Sequence, residues 1–321
     1  MDPPALVAAG YLNVDLVARV PALPGRDGRV TATTIERLLG GIAANVACAA
    51  ARLGPPWAVR AELITTVGDD ADSDWALAEL RRRGVGADWV ARRAGGRITY
   101  CLILVEPGGE RAIVSEPMDF DDRPLARRID LPAPDAAPRA LHVDGYRVPS
   151  VLPHVAHARA RGWRTSIDLD GLDAAWRTPA GVAELLGAFD LIFLNRAMAG
   201  EIWREPAAAE RLPGLVERAR ARAAGATGIV VATLGAAGAL VLIDGGATPV
   251  PALPVAAVDT TGAGDVFAGA FLATWLNGAP PARAAGHAAV AAALSTRGHG
   301  ALGALPTAGE VLAAARAAGR A

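Results

Sequence analysis

In the stretch VDTTGAGDVFAGAF, residues 258–271, a single carboxylate, Asp265, stands where a glycine-rich turn gives way to a helix-like run. Val266, Phe267, Ala270, Phe271 and Leu272 are apolar at near-helical spacing. A turn made of Gly262, Ala263 and Gly264 offers almost no side chains. The first amides of a helix have no intrahelical partner, and the helix dipole adds partial positive charge to them. Such a mouth binds anions. An acid beside it is either an ordinary N-cap or a general base. In the second case it takes the proton of an attacking hydroxyl while the amides of residues 262–264 hold charge on a transferred phosphoryl group. A dinucleotide fingerprint, G-x-G-x-x-G, does not fit, because Phe267 stands where the third glycine is needed.

Other chemistries are excluded by residue type. All 32 basic residues are Arg, so lysine Schiff bases, pyridoxal phosphate attachment and the Walker A loop are ruled out. His142, His154, His157, His287 and His299 show no zinc spacing and no nucleophile partner. Cys48 and Cys101 lie in apolar surroundings and read as buried reduced thiols. Net charge is −1 with no basic block, which argues against a nucleic-acid partner. The acidic N-terminus does not read as a signal peptide. The uncharged run 223–243 reads as strand, tight turn, strand because threonines and glycines interrupt it. No membrane partner and a cytoplasmic location are therefore expected.

The elements that must position Asp265 follow from hydrophobic patterning. At 52% hydrophobic residues the 321-residue chain can bury a large core, as one α/β domain or two. Short β-branched runs at 5–10, 62–68, 140–146, 164–170, 190–195 and 228–233 predict core strands. Helices are expected at 43–53, 73–83, 151–161, 206–224, 265–276 and 280–294. That alternation predicts a mainly parallel sheet with helices on both faces. Runs 14–20 and 29–38, and a hairpin of 98–105 with 110–115, have no helix between them and predict a small separate sheet. Pro107-Gly108 fits a type II turn in that hairpin.

With Asp259, Thr260, Gly262, Ala263, Gly264, Asp265, Gly269 and Ala270 in order and at the right spacing, the chain resembles the ribokinase-like, or PfkB, carbohydrate kinases. A second signature is similar to GGIAANVACAAARLG, with Gly40, Gly41 and Asn45 in place. The glycines allow close backbone approach, and Asn45 brings both donors and acceptors for sugar hydroxyls. The same segment also reads as a helix whose stripe Ile42, Val46, Ala49 and Leu53 faces the core. The resemblance implies one ribokinase-like domain over 1–321, a three-layer α/β/α sandwich. A small β-sheet lid would be inserted at about 11–39 and 97–118. It implies substrate binding by Asn13, Asp15, Gly40, Gly41 and Asn45, and nucleotide binding by Asn195, Thr233, Gly235 and Gly238. It also implies ATP with Mg²⁺, a K⁺ site at Asp259 and Thr261, and pairing of two copies through the lid.

The family's N-x-x-E is not intact. Met198 replaces its Glu, and Glu201 stands three residues on as a magnesium candidate or a surface acid. Asp168 and Asp170 in DLDGL are further carboxylates that can reach magnesium through water. The expected activity is ATP-dependent phosphorylation of a hydroxyl on a sugar or sugar-like molecule. The alternatives are a nucleoside kinase of adenosine or pseudouridine type, a catalytically silent sugar- or nucleotide-binding regulator, and a dinucleotide-dependent oxidoreductase. Arg97 and Arg111 are candidates to clamp an anionic group on the substrate.

Overall fold

The computed structural model describes residues 2–107, 110–132, 137–205, 208–223 and 228–319. In chain order the first elements are β1 (Ala5–Ala9), β2 (Asn13–Arg19), β3 (Thr34–Gly40), α1 (Ile42–Leu53), β4 (Arg60–Ile64), β5 (Thr66–Val67), α2 (Ala71–Arg82) and β6 (Ala91–Arg92). There follow β7 (Thr99–Val105), β8 (Arg111–Ser115), α3 (Arg123–Asp130), β9 (Arg139–Asp144), α4 (Val148–Ala160), β10 (Arg164–Asp168), α5 (Pro179–Ala188) and β11 (Leu191–Asn195). The last are α6 (Arg196–Trp203), α7 (Leu212–Arg220), β12 (Ile229–Thr233), β13 (Ala239–Ile243), β14 (Gly246–Val250), α8 (Ala263–Leu276), α9 (Pro281–Ser295) and α10 (Ala308–Ala317).

Every residue of β1 is buried, as a strand covered on both faces requires. Eight strands form the main sheet in the order β14-β13-β12-β11-β10-β9-β1-β4. The pairs from β4 to β12 are parallel, and β13 and β14 add an antiparallel edge. One face buries Leu125, Val155, Leu185, Ile202 and Val216 from α3 to α7. The other buries Val46, Phe271, Val290 and Val311 from α1, α8, α9 and α10. This is the three-layer arrangement expected. A separate four-stranded sheet, β3-β2-β7-β8, takes up the strands that broke the alternation.

Several boundaries differ from the sequence reading. The ladder of β3 begins only at Thr34, because residues 21–33 form an exposed Pro- and Gly-punctuated loop. Run 62–68 divides between β4 and β5, the latter pairing with β6. The helix expected at 206–224 is α7 alone, with Pro213 in its first turn. Residues 206, 207 and 224, like the Gly108 of the expected type II turn, lie outside the described residues. Helices α3, α5, α6 and α10 were not anticipated. Three of them carry side-chain N-caps: Thr178 accepts from Gly181 N at 3.0 Å, Asn195 accepts from Met198 N at 2.8 Å, and Thr307 with Glu310 forms a capping box.

β1 pairs with β4 on one side and β9 on the other, so the strand order reverses there. In open α/β sheets ligands bind outside the carboxyl ends of strands at such a switch. Asp144 and Asp168 face each other in register at the ends of β9 and β10, and Asn195 and Thr233 at the ends of β11 and β12.

Candidate active site

Two glycine-started helices, α1 and α8, cross behind this edge. Gly269 makes the close crossing possible, since a Cβ there would collide with the Val46 carbonyl of α1. The crossing brings Asn45 to Asp265, and the Asn45 Nδ2 donates to Asp265 Oδ2 at 2.7 Å. Neither helix has a side-chain cap: Gly41 and Gly262 hold the N-cap positions at φ 108° and 72°.

The two mouths are nonetheless different. That of α1 is filled, because Ala44 N donates to the Tyr11 carbonyl at 3.3 Å and Ala43 N bonds to the Asp144 carboxylate. Asp144 also accepts from Tyr11 N at 2.6 Å and Tyr146 N at 3.3 Å. A buried acid from β9 thus locks the turn after β1 onto α1. At α8, Ala263 N makes a weak bond to the Thr260 carbonyl at 3.3 Å. Gly264 is exposed, and a side chain built on it would meet nothing within 4 Å. The open anion mouth is therefore the one beside Asp265.

Charge is concentrated here. Burial pushes the Asp265 pKa well above the ordinary carboxylate value, and Asp168, Asp170 and Asp144 push it further, against the Asn45 hydrogen bond. Desolvation raises Asp144 to about 6 and Asp168 to about 7. Asp170 is raised as well, by burial first and then by Glu201. None of Asp144, Asp168, Asp170 and Asp265 forms an ion pair among the described residues. Carboxylates held together without a direct ion pair form a charge distribution that a divalent ion would relieve. No group of three or more His, Cys, Asp or Glu among the described residues is close enough to ligate a metal directly.

The other sequence candidates fall into two groups. Gly40 pairs with Asn13 across the β2–β3 ladder, and a side chain there would strike the carboxyl of Asp15, its diagonal neighbour on β2. Asn13 Nδ2 donates to Asp15 Oδ1 at 2.5 Å, and burial raises Asp15 to about 6. Gly41 lies against the Tyr11 carbonyl. Asn13, Asp15, Gly40, Gly41, Asn45 and Asp265 thus form one continuous wall. A small pocket between the small sheet and the turns before α8 and after α9 is lined by Asp15, Asp259, Thr261 and Gly300. Asp259 accepts from Thr261 N and Gly300 N, each at 2.9 Å. Burial alone would raise its pKa, but these amides outweigh it and pull the value down.

The second group lies along the strand ends. Asn195 caps α6 through a bond from Met198 N at 2.8 Å, while the Met198 side chain is buried in the core. Thr233 leads into a turn where Gly235 and Gly238 have φ of 62° and 95°. Glu201 is on α6 with Arg177 Nη1 at 2.7 Å, its side chain 51% exposed.

The sequence reading missed Asp144, Tyr11 and Tyr146. The two tyrosine rings lie 4.6 Å apart, and Gly171 lets Tyr146 sit close, since a Cβ there would strike its ring. The available signal was the acid and glycine ending the strand ALHVDG, at the edge where switch-point ligands bind.

The family model of pfkB family carbohydrate kinases matches residues 4–308. Among curated relatives, the ATP-dependent ribose-1-phosphate kinase of Halopiger xanaduensis is 32% identical over 318 residues, covering 96% of this chain and 97% of that protein. The ribokinase of Schizosaccharomyces pombe is 28% identical over 332 residues, covering 95% and 96%. The ribokinase of Arabidopsis thaliana, solved in complex with ribose and ATP, superposes with a TM-score of 0.78 at 23% identity, covering 98% and 99%, a likeness of fold.

Proposed function

Since the chain belongs to the pfkB family of carbohydrate kinases, we propose that it transfers the terminal phosphoryl group of ATP to a hydroxyl of a sugar or sugar-like small molecule. Asp265 is the general base. The observation that carries this reading is the open, uncapped mouth of α8 beside a carboxylate whose pKa is raised. A base of raised pKa is better matched to a hydroxyl proton in the transition state than an ordinary aspartate. The amides of residues 262–264 lie where charge develops on the transferring group.

Asn13, Asp15, Gly40, Gly41 and Asn45 hold the sugar. Asn45 Oδ1 is buried and has no partner, which supports it as an acceptor for a substrate hydroxyl. Asn195, Thr233, Gly235 and Gly238 line the nucleotide side. The chain acts as a single domain whose small sheet closes as a lid to exclude water. Two copies pair through that lid.

The unpaired carboxylates Asp168 and Asp170 fit magnesium held through its waters, with Glu201, which Arg177 engages, beside them. When bound, magnesium neutralises triphosphate charge. Asp259 and Thr261 fit a monovalent cation, since the amides on Asp259 keep it anionic. Relatives named for ribose-1-phosphate and ribose support a pentose or pentose phosphate as acceptor.

The test is Asp265→Asn. ADP release should fall by roughly 10² to 10⁴-fold while calorimetric ADP binding persists. Unimpaired turnover would remove the assigned role.

A further inference from the structure

Two arginines whose charge reaches the acids at the strand ends, Arg147 and Arg111, have no side-chain hydrogen bond or ion pair among the described residues. Arg147 follows Asp144, Gly145 and Tyr146 at the end of β9. Its charge is close enough to lower the pKa of both Tyr11 and Asp144. It is half-buried; its carbonyl accepts from Ser150 Oγ at 2.9 Å, but its guanidinium takes part in no hydrogen bond or ion pair among the described residues. Asp144 does not claim it, because its oxygens accept the amides of Tyr11 and Tyr146.

The second, Arg111, is exposed at the start of β8 in the small sheet. Asp15 pairs with Cys101, Cys101 with Ser115, and Val105 with Arg111, so two-residue alternation puts Arg111 on the Asp15 face of the small sheet. Its charge reaches Asp170 without forming an ion pair. Arg97 is different, because Glu116 holds it through bonds of 2.7 and 2.5 Å.

A half-buried guanidinium without a partner is unfavourable, and its planar fork matches phosphate through two parallel hydrogen bonds. The geometry points to Arg147, with Arg111 on the Asp15 face of the small sheet, as the specificity-determining residue that receives a phosphate monoester on the acceptor. The substrate class is then a sugar phosphate, not a free sugar or an uncharged nucleoside. This rests on the kinase reading above, with the acceptor hydroxyl at Asp265 and the anionic end at Arg147. Asp144 and Asp170 feel the charge of these arginines. Burial raises both; backbone amides and then Arg147 lower the first, and the Gly171 amide and then Arg111 lower the second.

The experiment compares kcat/KM, by ADP release, for ribose with ribose 1-phosphate and ribose 5-phosphate, and for fructose with fructose 6-phosphate. Wild type should favour a phosphorylated member of the panel over its parent. Arg147→Gln should reduce that preference about 10- to 100-fold, the range of a charge-assisted hydrogen bond, and Arg147→Lys should restore part of it. A structural role would lower both members of a pair and leave their ratio unchanged. Preference for the neutral sugars, or an unchanged ratio in a variant that melts like wild type, would overturn the inference. Should Arg147→Gln fail to fold, Arg147→Lys decides by the same ratio.

Failure of the kinase reading is separable. If no sugar stimulates ADP release, calorimetry with ribose, ribose 1-phosphate and inorganic phosphate still tests Arg147. Tighter binding of the phosphorylated ligand that Arg147→Gln abolishes supports it, and equal binding of ribose and its phosphate overturns it.

Discussion

Asn45 holds Asp265 in place and also sets the pH at which it works. Burial and the acids at the strand ends drive the Asp265 pKa up, and the Asn45 donor opposes them by stabilising the charged form. A general base acts deprotonated, so activity is lost as pH falls through this raised pKa, above the ordinary aspartate value of about 3.9. Asn45→Ala removes the opposing hydrogen bond. The acidic limb of a kcat/KM profile should move to higher pH, and a limb that stays in place would mean that another group titrates. Asp265 and its turn could be read from sequence because acid and amides are adjacent in the chain. Asp144 could not be read in the same way. Its work is to receive the Tyr11 amide, 133 residues away, and only the pairing of β1 with β9 brings the two together.

At the scale of elements, the site depends on how closely α1 and α8 cross. Gly269 faces the Val46 carbonyl and the Ala49 side chain, so Gly269→Val must push the helices apart. Overpacking of this kind costs about 1–3 kcal/mol. It should also separate Asn45 from Asp265, so thermal unfolding should report lower stability and turnover should fall with it. A variant that loses stability but keeps full turnover would show that the crossing does not position the base. The helices and the parallel core were legible because their apolar periods are strong and their lengths ordinary. Shorter pieces were not: α6 has eight residues and begins directly at the end of β11, so no loop punctuates it. The edge strand β14 is mostly exposed and carries no continuous apolar signal. Met198 also reads differently once placed, as a core residue under α6 rather than only a missing ligand.

Across the whole molecule, the excursion from β4 through the small sheet and back to β9 must be anchored if the Asp15 face is to return to the same place. A buried ion pair does this at the sheet edge. Arg128 on α3 donates to Glu62 on β4 through Nε at 2.5 Å and Nη2 at 2.9 Å, with side chains 6% and 12% exposed. Burial alone would raise the Glu62 pKa, but hydrogen bonds and charge from Arg128 and Arg60 outweigh it and hold the value below the usual range. Arg128→Met leaves a buried carboxylate with only Arg60, which should cost about 3 kcal/mol. Replacing both partners, Arg128→Met with Glu62→Leu, should recover most of that loss. Because the folded pKa of Glu62 is depressed, its contribution is complete above the unfolded carboxylate value of about 4.3 and is lost as pH falls through the folded value. Urea midpoints should therefore separate Arg128→Met from the double variant at pH 7, and the gap should close below about pH 4. A gap that persists in acid would mean that Glu62 destabilises the Arg128→Met protein even when protonated, as a buried polar group rather than through its charge.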